Sequence, residues 1–135
     1  MLLLFDICQE GRYTLFMPKA LPVIDVSGPI CCDSVSAAPM NDAAALELAL
    51  RLKALADPVR LKLVSILLTD SGDGVCTCDL ATGVDLAEST VSYHLGQLRK
   101  AGMVDSQRRG MNVYHRARAE SLDALRGVLD PNCCR

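Results

Sequence analysis

The stretch ESTVSYHLGQLRKAGMV, residues 88–104, combines apolar residues at helical spacing with small polar residues between them. It predicts a helix over 88–101 that ends at Gly102. One face of this helix is apolar: Val91, Leu95, Leu98 and Ala101. The residues before it predict a short helix over 78–83 and a tight turn. A short helix, a turn and a longer amphipathic helix together indicate a helix-turn-helix.

The polar face of the longer helix suits the major groove of DNA. Bulky side chains there would hold the helix backbone away from the base edges, whereas short hydroxyls allow close approach. Longer polar side chains beside them can reach phosphate or bases. The predicted DNA-contacting residues of this helix are Ser89, Thr90, Ser92, Tyr93, His94 and Gln97.

The flanking segments complete a small domain that is mainly α with a two-stranded β-hairpin wing. Helices are predicted over 43–56, over 58–68 after the capping Asp57-Pro58 pair, and over 122–129. Strands over 103–107 and 113–118 enclose a glycine-containing loop. Arg108 and Arg109 in that loop are expected to contact phosphate. Residues 99–118 contain six basic residues, including these two, and only one acid. Residues 70–88, in contrast, contain five acids and no base.

The chain is expected to divide into three parts. Residues 1–40 form a flexible N-terminal arm, because four prolines between 17 and 40 leave no helical period. Residues 1–16 look unlike the rest, and an over-long gene start is a possible explanation. Residues 41–130 form the domain, and 131–135 a tail with Cys133 and Cys134. No apolar run approaches the ~20 residues that span a bilayer, so a cytoplasmic protein is expected.

Seven cysteines are many for a reduced compartment, and their clustering indicates metal or redox chemistry. Cys76 and Cys78 flank a single threonine. In a regular helix they would lie about 200° apart, so a shared ion requires extended backbone at Cys76. Thiolates there also benefit from the helix dipole. The neighbouring Cys31 and Cys32 are too close in sequence for an ordinary disulfide and suit a soft ion better.

Four segments together resemble the ArsR/SmtB family of metal-responsive repressors. They are LKALADPVRLKLVSIL (52–67), CTCDL (76–80), ESTVSYHLGQLRKAGMV (88–104) and RRGMNVYHRA (108–117), in the family's order and spacing. The resemblance covers about residues 43–130. It implies a winged helix-turn-helix dimer that binds operator DNA when metal-free and releases it on metal binding. Ala87 departs from the Ser or Thr common before the recognition helix, and it cannot cap that helix.

The resemblance also assigns the inducer site. One family site uses histidines and carboxylates of the last helix, but no histidine follows His115. A second uses Cys-x-Cys before the recognition helix, which Cys76 and Cys78 match. As(III) takes three thiolates, and the position of the usual third one is Ala81. Cys31 or Cys32 is therefore expected to supply it, with As(III) or Sb(III) as inducer. Related sensors of Cd(II) and Pb(II) also combine arm cysteines with Cys-x-Cys, so these ions remain alternatives.

Two other classes of function compete with this one. A thiol redox switch would use reversible oxidation of Cys76 and Cys78 without a metal. An enzyme is not expected, because no phosphate-binding loop follows a strand and no cysteine is placed with a base. The apolar stripes of the helices at 43–56 and 122–129 are expected to form the homodimer interface.

Overall fold

The computed structural model describes residues 25–30 and 34–132. Its helices are α1 (Asp42–Leu55), α2 (Pro58–Thr69), α3 (Thr77–Val84), α4 (Glu88–Lys100) and α5 (Ala119–Leu129), and its strands are β1 (Val75–Cys76), β2 (Val104–Arg109) and β3 (Asn112–Ala117). This is the predicted winged helix-turn-helix, with α3 and α4 as the helix-turn-helix and β2–β3 as the wing. Cys8, Cys31, Cys32, Cys133, Cys134 and the first sixteen residues lie outside the described part.

The first two helices begin where their capping residues predict. The Asn41 side chain accepts a hydrogen bond of 2.9 Å from the backbone N–H of Ala44. The Asp57 carboxylate accepts from the N–H groups of Val59 at 2.8 Å and Arg60 at 3.2 Å. These bonds satisfy amides that have no partner within the helix. The backbone hydrogen bond from Arg60 lowers the pKa of Asp57.

The sheet differs from the predicted hairpin in two respects. It has three strands in the order β1-β3-β2, because the two-residue β1 pairs antiparallel with β3 through Val75↔His115 and Cys76↔Tyr114. The wing is also longer than expected, since the β2–β3 register runs out to Arg109↔Asn112. Only Gly110 and Met111 remain in the turn, and Gly110 has a φ of +64°. Glycine at the first turn position suits a tight two-residue hairpin.

The core lies where the helix-turn-helix meets α2 and the base of the wing. The fully buried apolar side chains come from α2, α3, α4 and the residues that lead into β2: Leu63, Leu80, Val91, Leu95, Leu98 and Met103. The apolar face predicted for α4 is therefore confirmed. Within the described residues, no helix is both long and apolar enough to cross a lipid bilayer.

The apolar stripe predicted for the first helix faces the core of this chain only in part. Leu48 is buried, but Leu52 is 37% exposed, and Arg51 between them is 1% exposed. Arg51 donates to the Glu47 carboxylate at 2.8 Å and to the carbonyl of Gly28 at 3.1 Å. This guanidinium is tolerated in the core because it is paired and hydrogen-bonded. An apolar edge of α1 consequently stays at the surface.

The described part of the predicted flexible arm packs against the domain. Val26 is buried, and Arg118 donates to the carbonyl of Ser27 at 2.9 Å. Further along, the backbone N–H of Val35 donates to the carbonyl of Val128 at 2.8 Å. Carbonyl groups of an extended segment are free to accept such bonds, since no helix or sheet uses them. Residues 25–30 thus form part of the folded domain.

Two glycines provide a matched test of this packing. Gly102 has a φ of +76°, and an added Cβ would lie 2.7 Å from the Ser27 carbonyl oxygen. We expect Gly102→Ala to destabilise the protein by more than about 1 kcal/mol, because both the backbone conformation and the contact oppose it. Gly96→Ala within α4 should stabilise it by about 0.5–1 kcal/mol, because the added Cβ would meet only the flexible end of Arg99, at 3.9 Å. Urea unfolding of both variants at one protein concentration measures the difference. Equal effects would contradict the close approach of Ser27.

Candidate functional site

The exposed face of α4 carries the residues predicted to contact DNA. Ser89, Thr90, Ser92 and Tyr93 are exposed, and His94 and Gln97 are partly buried. The opposite face holds the helix rigidly against the core through Val91, Leu95 and Leu98. As expected, Ala87 occupies the N-cap position and makes no side-chain hydrogen bond there.

His94 is oriented by the start of α2. The Arg60 Nε donates to His94 Nδ1 at 3.2 Å, and the Tyr93 ring meets the His94 ring edge-on at 5.6 Å between centroids. An Nδ1 that accepts a hydrogen bond carries no proton, so the neutral ring holds its proton on Nε2. His94 is therefore prepared to donate from Nε2 to an acceptor.

The two wing arginines differ in their surroundings. The Arg109 guanidinium lies 4.6 Å from the centre of the Tyr114 ring and donates to the backbone carbonyl of Asp73. Arg109 thus ties the wing to the loop before β1. Arg108 is exposed, and within residues 25–30 and 34–132 no ion pair or hydrogen bond of its side chain is found. Arg108 is the freer of the two for a phosphate.

The Cys-x-Cys motif lies at the junction of β1 and α3. Cys76 has extended backbone, with φ −73° and ψ 159°, and is the N-cap residue of α3. Its sulfur accepts a hydrogen bond of 3.2 Å from the N–H of Asp79. The extended conformation that the sequence required at Cys76 is confirmed. It brings the Cys76 and Cys78 sulfurs together, with their Cα atoms 5.4 Å apart.

The two sulfurs are joined in a disulfide, whereas the sequence had indicated free thiolates. The backbone turns at Cys76, which lets cysteines two residues apart meet. The Asp79 carboxylate lies within 4.8 Å of both sulfurs. After reduction this set offers two soft thiolates and one carboxylate, and it suits a soft or borderline metal ion better than magnesium or calcium.

Sources for a third thiolate are not found in the described residues. Cys31 and Cys32 lie outside that part of the chain, as do Cys133 and Cys134. Ala81 is buried on α3, one turn after the cysteines. Ile30, the described residue before Cys31, packs against the core. Asp79 was not predicted as a ligand, although its position directly after Cys78 was a signal for it.

His115 is the functional candidate that the sequence undervalued. Its position in a strand gives no sign of a special role, but it is buried, with Nε2 2.8 Å from Thr77 Oγ1 and Nδ1 2.7 Å from Ser106 Oγ. Thr77 is the middle residue of the Cys-x-Cys motif. Burial lowers the pKa of His115, and the positive charge of Arg99 lowers it further. The ring is therefore neutral near pH 7.

Comparisons with known proteins agree with this arrangement. Residues 57–106 match the family model described as bacterial regulatory protein, arsR family. The chain is 34% identical over 114 residues to a putative arsenical resistance operon repressor, ArsR2, of Halobacterium salinarum, covering 78% of the chain and 90% of that relative. It is 38% identical over 84 residues to the arsenic resistance transcriptional regulator ArsR1 of Pseudomonas putida, covering 59% and 64%.

A cadmium regulator and a solved structure are also similar. The cadmium resistance transcriptional regulatory protein CadC of Listeria innocua is 43% identical over 63 residues, 47% of the chain and 51% of that relative. The chain therefore spans between half and two thirds of these two regulators, ArsR1 and CadC. The solution structure of the homodimeric winged helix-turn-helix domain Mb0332 of Mycobacterium bovis aligns with a TM-score of 0.52 and 29% identity, covering 66% of the chain and 81% of that domain.

The lowered pKa of His115 predicts a pH effect on stability. As pH falls through about 6.5, the unfolded chain binds a proton at this residue before the folded chain does. The free energy of unfolding should therefore decrease as the pH decreases, by at most about 1.4 kcal/mol per pH unit for one proton. His115→Gln should lose less stability between pH 7.5 and pH 5.5. The other ionisable groups are the same in both proteins, so their contributions cancel. Urea unfolding measures this, and identical pH profiles would refute it.

Proposed function

Because the chain belongs to the ArsR family, we propose that it is a transcriptional repressor that binds operator DNA and releases it when a soft ion occupies the Cys76 and Cys78 thiolates. The observation that carries this proposal is the position of the thiols. Cys76 is the N-cap of α3, and α3 packs directly on α4. A ligand on these sulfurs acts on the first helix of the DNA-reading unit.

For DNA contact we propose the α4 residues Ser89, Thr90, Ser92, Tyr93, His94 and Gln97, with the wing arginines Arg108 and Arg109. The exposure of the four leading α4 side chains supports this assignment. Arg108 contributes a phosphate contact, which sets position more than sequence preference. Arg109 acts chiefly through its contacts with Tyr114 and Asp73.

We propose that the protein acts as a homodimer through α1 and α5. Apolar side chains remain at the surface on both helices: Leu46, Leu52 and Leu129, each at least 37% exposed, with Ala45 and Ala49 beside them. A small domain gains buried area by covering them. A relative that is homodimeric supports this assembly. Such a dimer would contact two half-sites about one helical turn apart, in the cytoplasm where chromosomal DNA is accessible.

As(III) or Sb(III) is the proposed inducer, with Cys31 or Cys32 as the third thiolate. The named relatives include both arsenic and cadmium regulators, which keeps Cd(II) and Pb(II) as alternatives. The expected role of Asp79 differs between the two groups of ions. A site of two thiolates and the Asp79 carboxylate suits Cd(II), whereas a site of three thiolates suits As(III).

A thiol redox switch is the second candidate, and the Cys76–Cys78 disulfide favours it. Oxidation would join the two thiols with loss of two protons and two electrons to a cellular oxidant such as a peroxide or a disulfide. The same junction of β1 and α3 would then change without a metal. The two mechanisms share the DNA-binding surface and differ only in what acts on the sulfurs.

Bulk on the α4 face should abolish specific DNA binding. Ser92→Phe places a large side chain between the helix and the base edges, so affinity for an operator selected by the wild type should fall roughly 100-fold or more. Ser65→Phe, an equally exposed position on α2, is the matched control and should bind normally. Fluorescence anisotropy with a labelled duplex measures both. Normal binding by Ser92→Phe would remove α4 as the reading helix.

Removing either thiol of the motif should abolish induction but keep repression. Reduced Cys76→Ser and Cys78→Ser proteins should bind the operator like the wild type. Arsenite should weaken wild-type binding about 5–150-fold and leave these variants unaffected, because the ion loses a ligand. Cys8→Ser is the control and should respond normally. Operator titrations with and without arsenite give the ratio of affinities, and normal induction of both variants would refute the thiol site.

Further arms of the same experiment separate the ions and the redox mechanism. The Cys31→Ser/Cys32→Ser double variant should lose its arsenite response if the arm supplies the third thiolate. Asp79→Asn should weaken a response to Cd(II) and leave one to arsenite intact. If the wild type ignores all four ions but releases DNA on treatment with a thiol oxidant, the redox switch replaces metal sensing.

A further inference from the structure

A chain of hydrogen bonds joins the Cys-x-Cys motif to the far end of the recognition helix. Thr77 Oγ1 lies 2.8 Å from His115 Nε2, and His115 Nδ1 lies 2.7 Å from Ser106 Oγ. Ser106 Oγ accepts a hydrogen bond of 3.3 Å from Arg99 Nη1. The four residues come from α3, β3, β2 and α4. His115 at the centre is 4% exposed, so water does not compete for its ring nitrogens.

One direction of this chain gives both hydroxyls a donated and an accepted bond. Arg99 can only donate and the Val113 carbonyl can only accept, so in this direction Ser106 accepts from Arg99 and donates to His115 Nδ1. The neutral ring then carries its proton on Nε2 and donates to Thr77. The Thr77 hydroxyl in turn faces the backbone carbonyl of Val113 at 3.5 Å. Each hydroxyl then gives one bond and receives one, and displacement of Thr77 or Ser106 leaves one ring nitrogen of the buried His115 without a partner.

We propose that His115 is a positioning residue that transmits the state of the Cys76 and Cys78 sulfurs to Arg99 at the end of the recognition helix. The inference rests on the proposed function and adds the route by which the thiol site acts on DNA. It uses Thr77, whose backbone lies between the two sulfurs and whose hydroxyl contacts His115.

The geometry explains why Thr77 would move when the sulfurs change while the backbone of His115 stays in place. A change in the bond or ligand between the sulfurs alters the spacing of Cys76 and Cys78, and the peptide between them must follow. His115 is fixed by β3, the central strand of the sheet. A shift of about 1 Å takes a hydrogen bond of this length beyond bonding distance. His115 Nε2 then has no acceptor, and the ring keeps a partner for its proton only by carrying it on Nδ1 and donating to Ser106 Oγ. The Ser106 hydroxyl that accepts from Arg99 must then reorient, at the point where α4 meets the wing.

Thr77→Val tests the proposal, because it removes the hydroxyl and keeps the shape of the side chain. Thr77→Ser, which keeps the hydroxyl, is the matched control, and Ser106→Ala breaks the chain at its other end. For each reduced protein, operator affinity is measured without arsenite and at an arsenite concentration that saturates that protein. Arsenite binding itself is measured separately by the ultraviolet absorption of the thiolate–arsenic bond.

Thr77→Val and Ser106→Ala should bind arsenite within about threefold of the wild type. Without arsenite they should already bind the operator about as weakly as the arsenite-saturated wild type, because their chain is broken in advance. Their ratio of operator affinities with and without arsenite should therefore drop from the wild-type value, about 5–150-fold for a typical coupling, to about threefold or less. Thr77→Ser should keep the wild-type ratio. The double variant should be no worse than either single one, since both break the same chain. A ¹⁵N spectrum of the His115 ring should change on arsenite addition in the wild type and not in Thr77→Val.

Each remaining outcome overturns a distinct statement. If the wild type responds to arsenite and Thr77→Val and Ser106→Ala respond equally, the route through His115 is wrong and the proposed repressor function stands. If the two losses add in the double variant, the residues act separately and the single chain is wrong. If the wild type binds its operator equally with and without arsenite, arsenite induction fails, and this inference fails with it.

Discussion

The extended backbone of Cys76 is the constraint on which the candidate site depends. This residue ends β1, where it pairs with Tyr114, and it is also the N-cap of α3. In a continuous helix its sulfur would point away from that of Cys78. The strand-to-helix transition brings both sulfurs to one side. Cys76 therefore belongs to the thiol pair, to the edge of the sheet and to the start of the helix-turn-helix. A chemical change at its sulfur acts directly on the junction of β1 and α3.

Local patterns in the sequence predicted most of the fold and the thiol pair, and non-local contacts account for what was missed. The apolar period of α4 and the extended conformation at Cys76 both follow from neighbouring residues. β1 has only two residues and exists because β3 pairs with it, so no local pattern could reveal it. His115 looked ordinary because Thr77 and Ser106 reach it from other segments. Arg51 resembled a surface residue until the fold supplied Gly28 as its partner.

Buried polar groups explain why residues 25–30 belong to the domain. A fully buried guanidinium is costly unless it is paired, and Arg51 obtains one acceptor from its own helix and one from Gly28, while its Nε finds no acceptor among the described residues. Arg118 similarly uses the carbonyl of Ser27 and pairs with Asp105 at 3.0 Å. Because one arginine lies on α1 and the other at the end of the wing, this short segment connects the proposed dimer helix with the DNA-reading part.

The chemistry of the thiols indicates that shape, rather than charge, must carry the signal to DNA. Two thiols that bind Cd(II) lose two protons, so the net charge of the site is unchanged, and two thiolates that bind it become less negative. Three thiols that bind As(III) in place of its hydroxides release water without a change in charge, and oxidation of either form to the disulfide adds no negative charge. Electrostatic repulsion of DNA therefore cannot be the cause of release. A hydrogen-bonded buried chain such as Thr77–His115–Ser106 responds to displacement instead, because its bonds fail within about 1 Å. In the proposed mechanism, reciprocity requires that DNA bound to α4 weakens ligand binding at the sulfurs by the same factor.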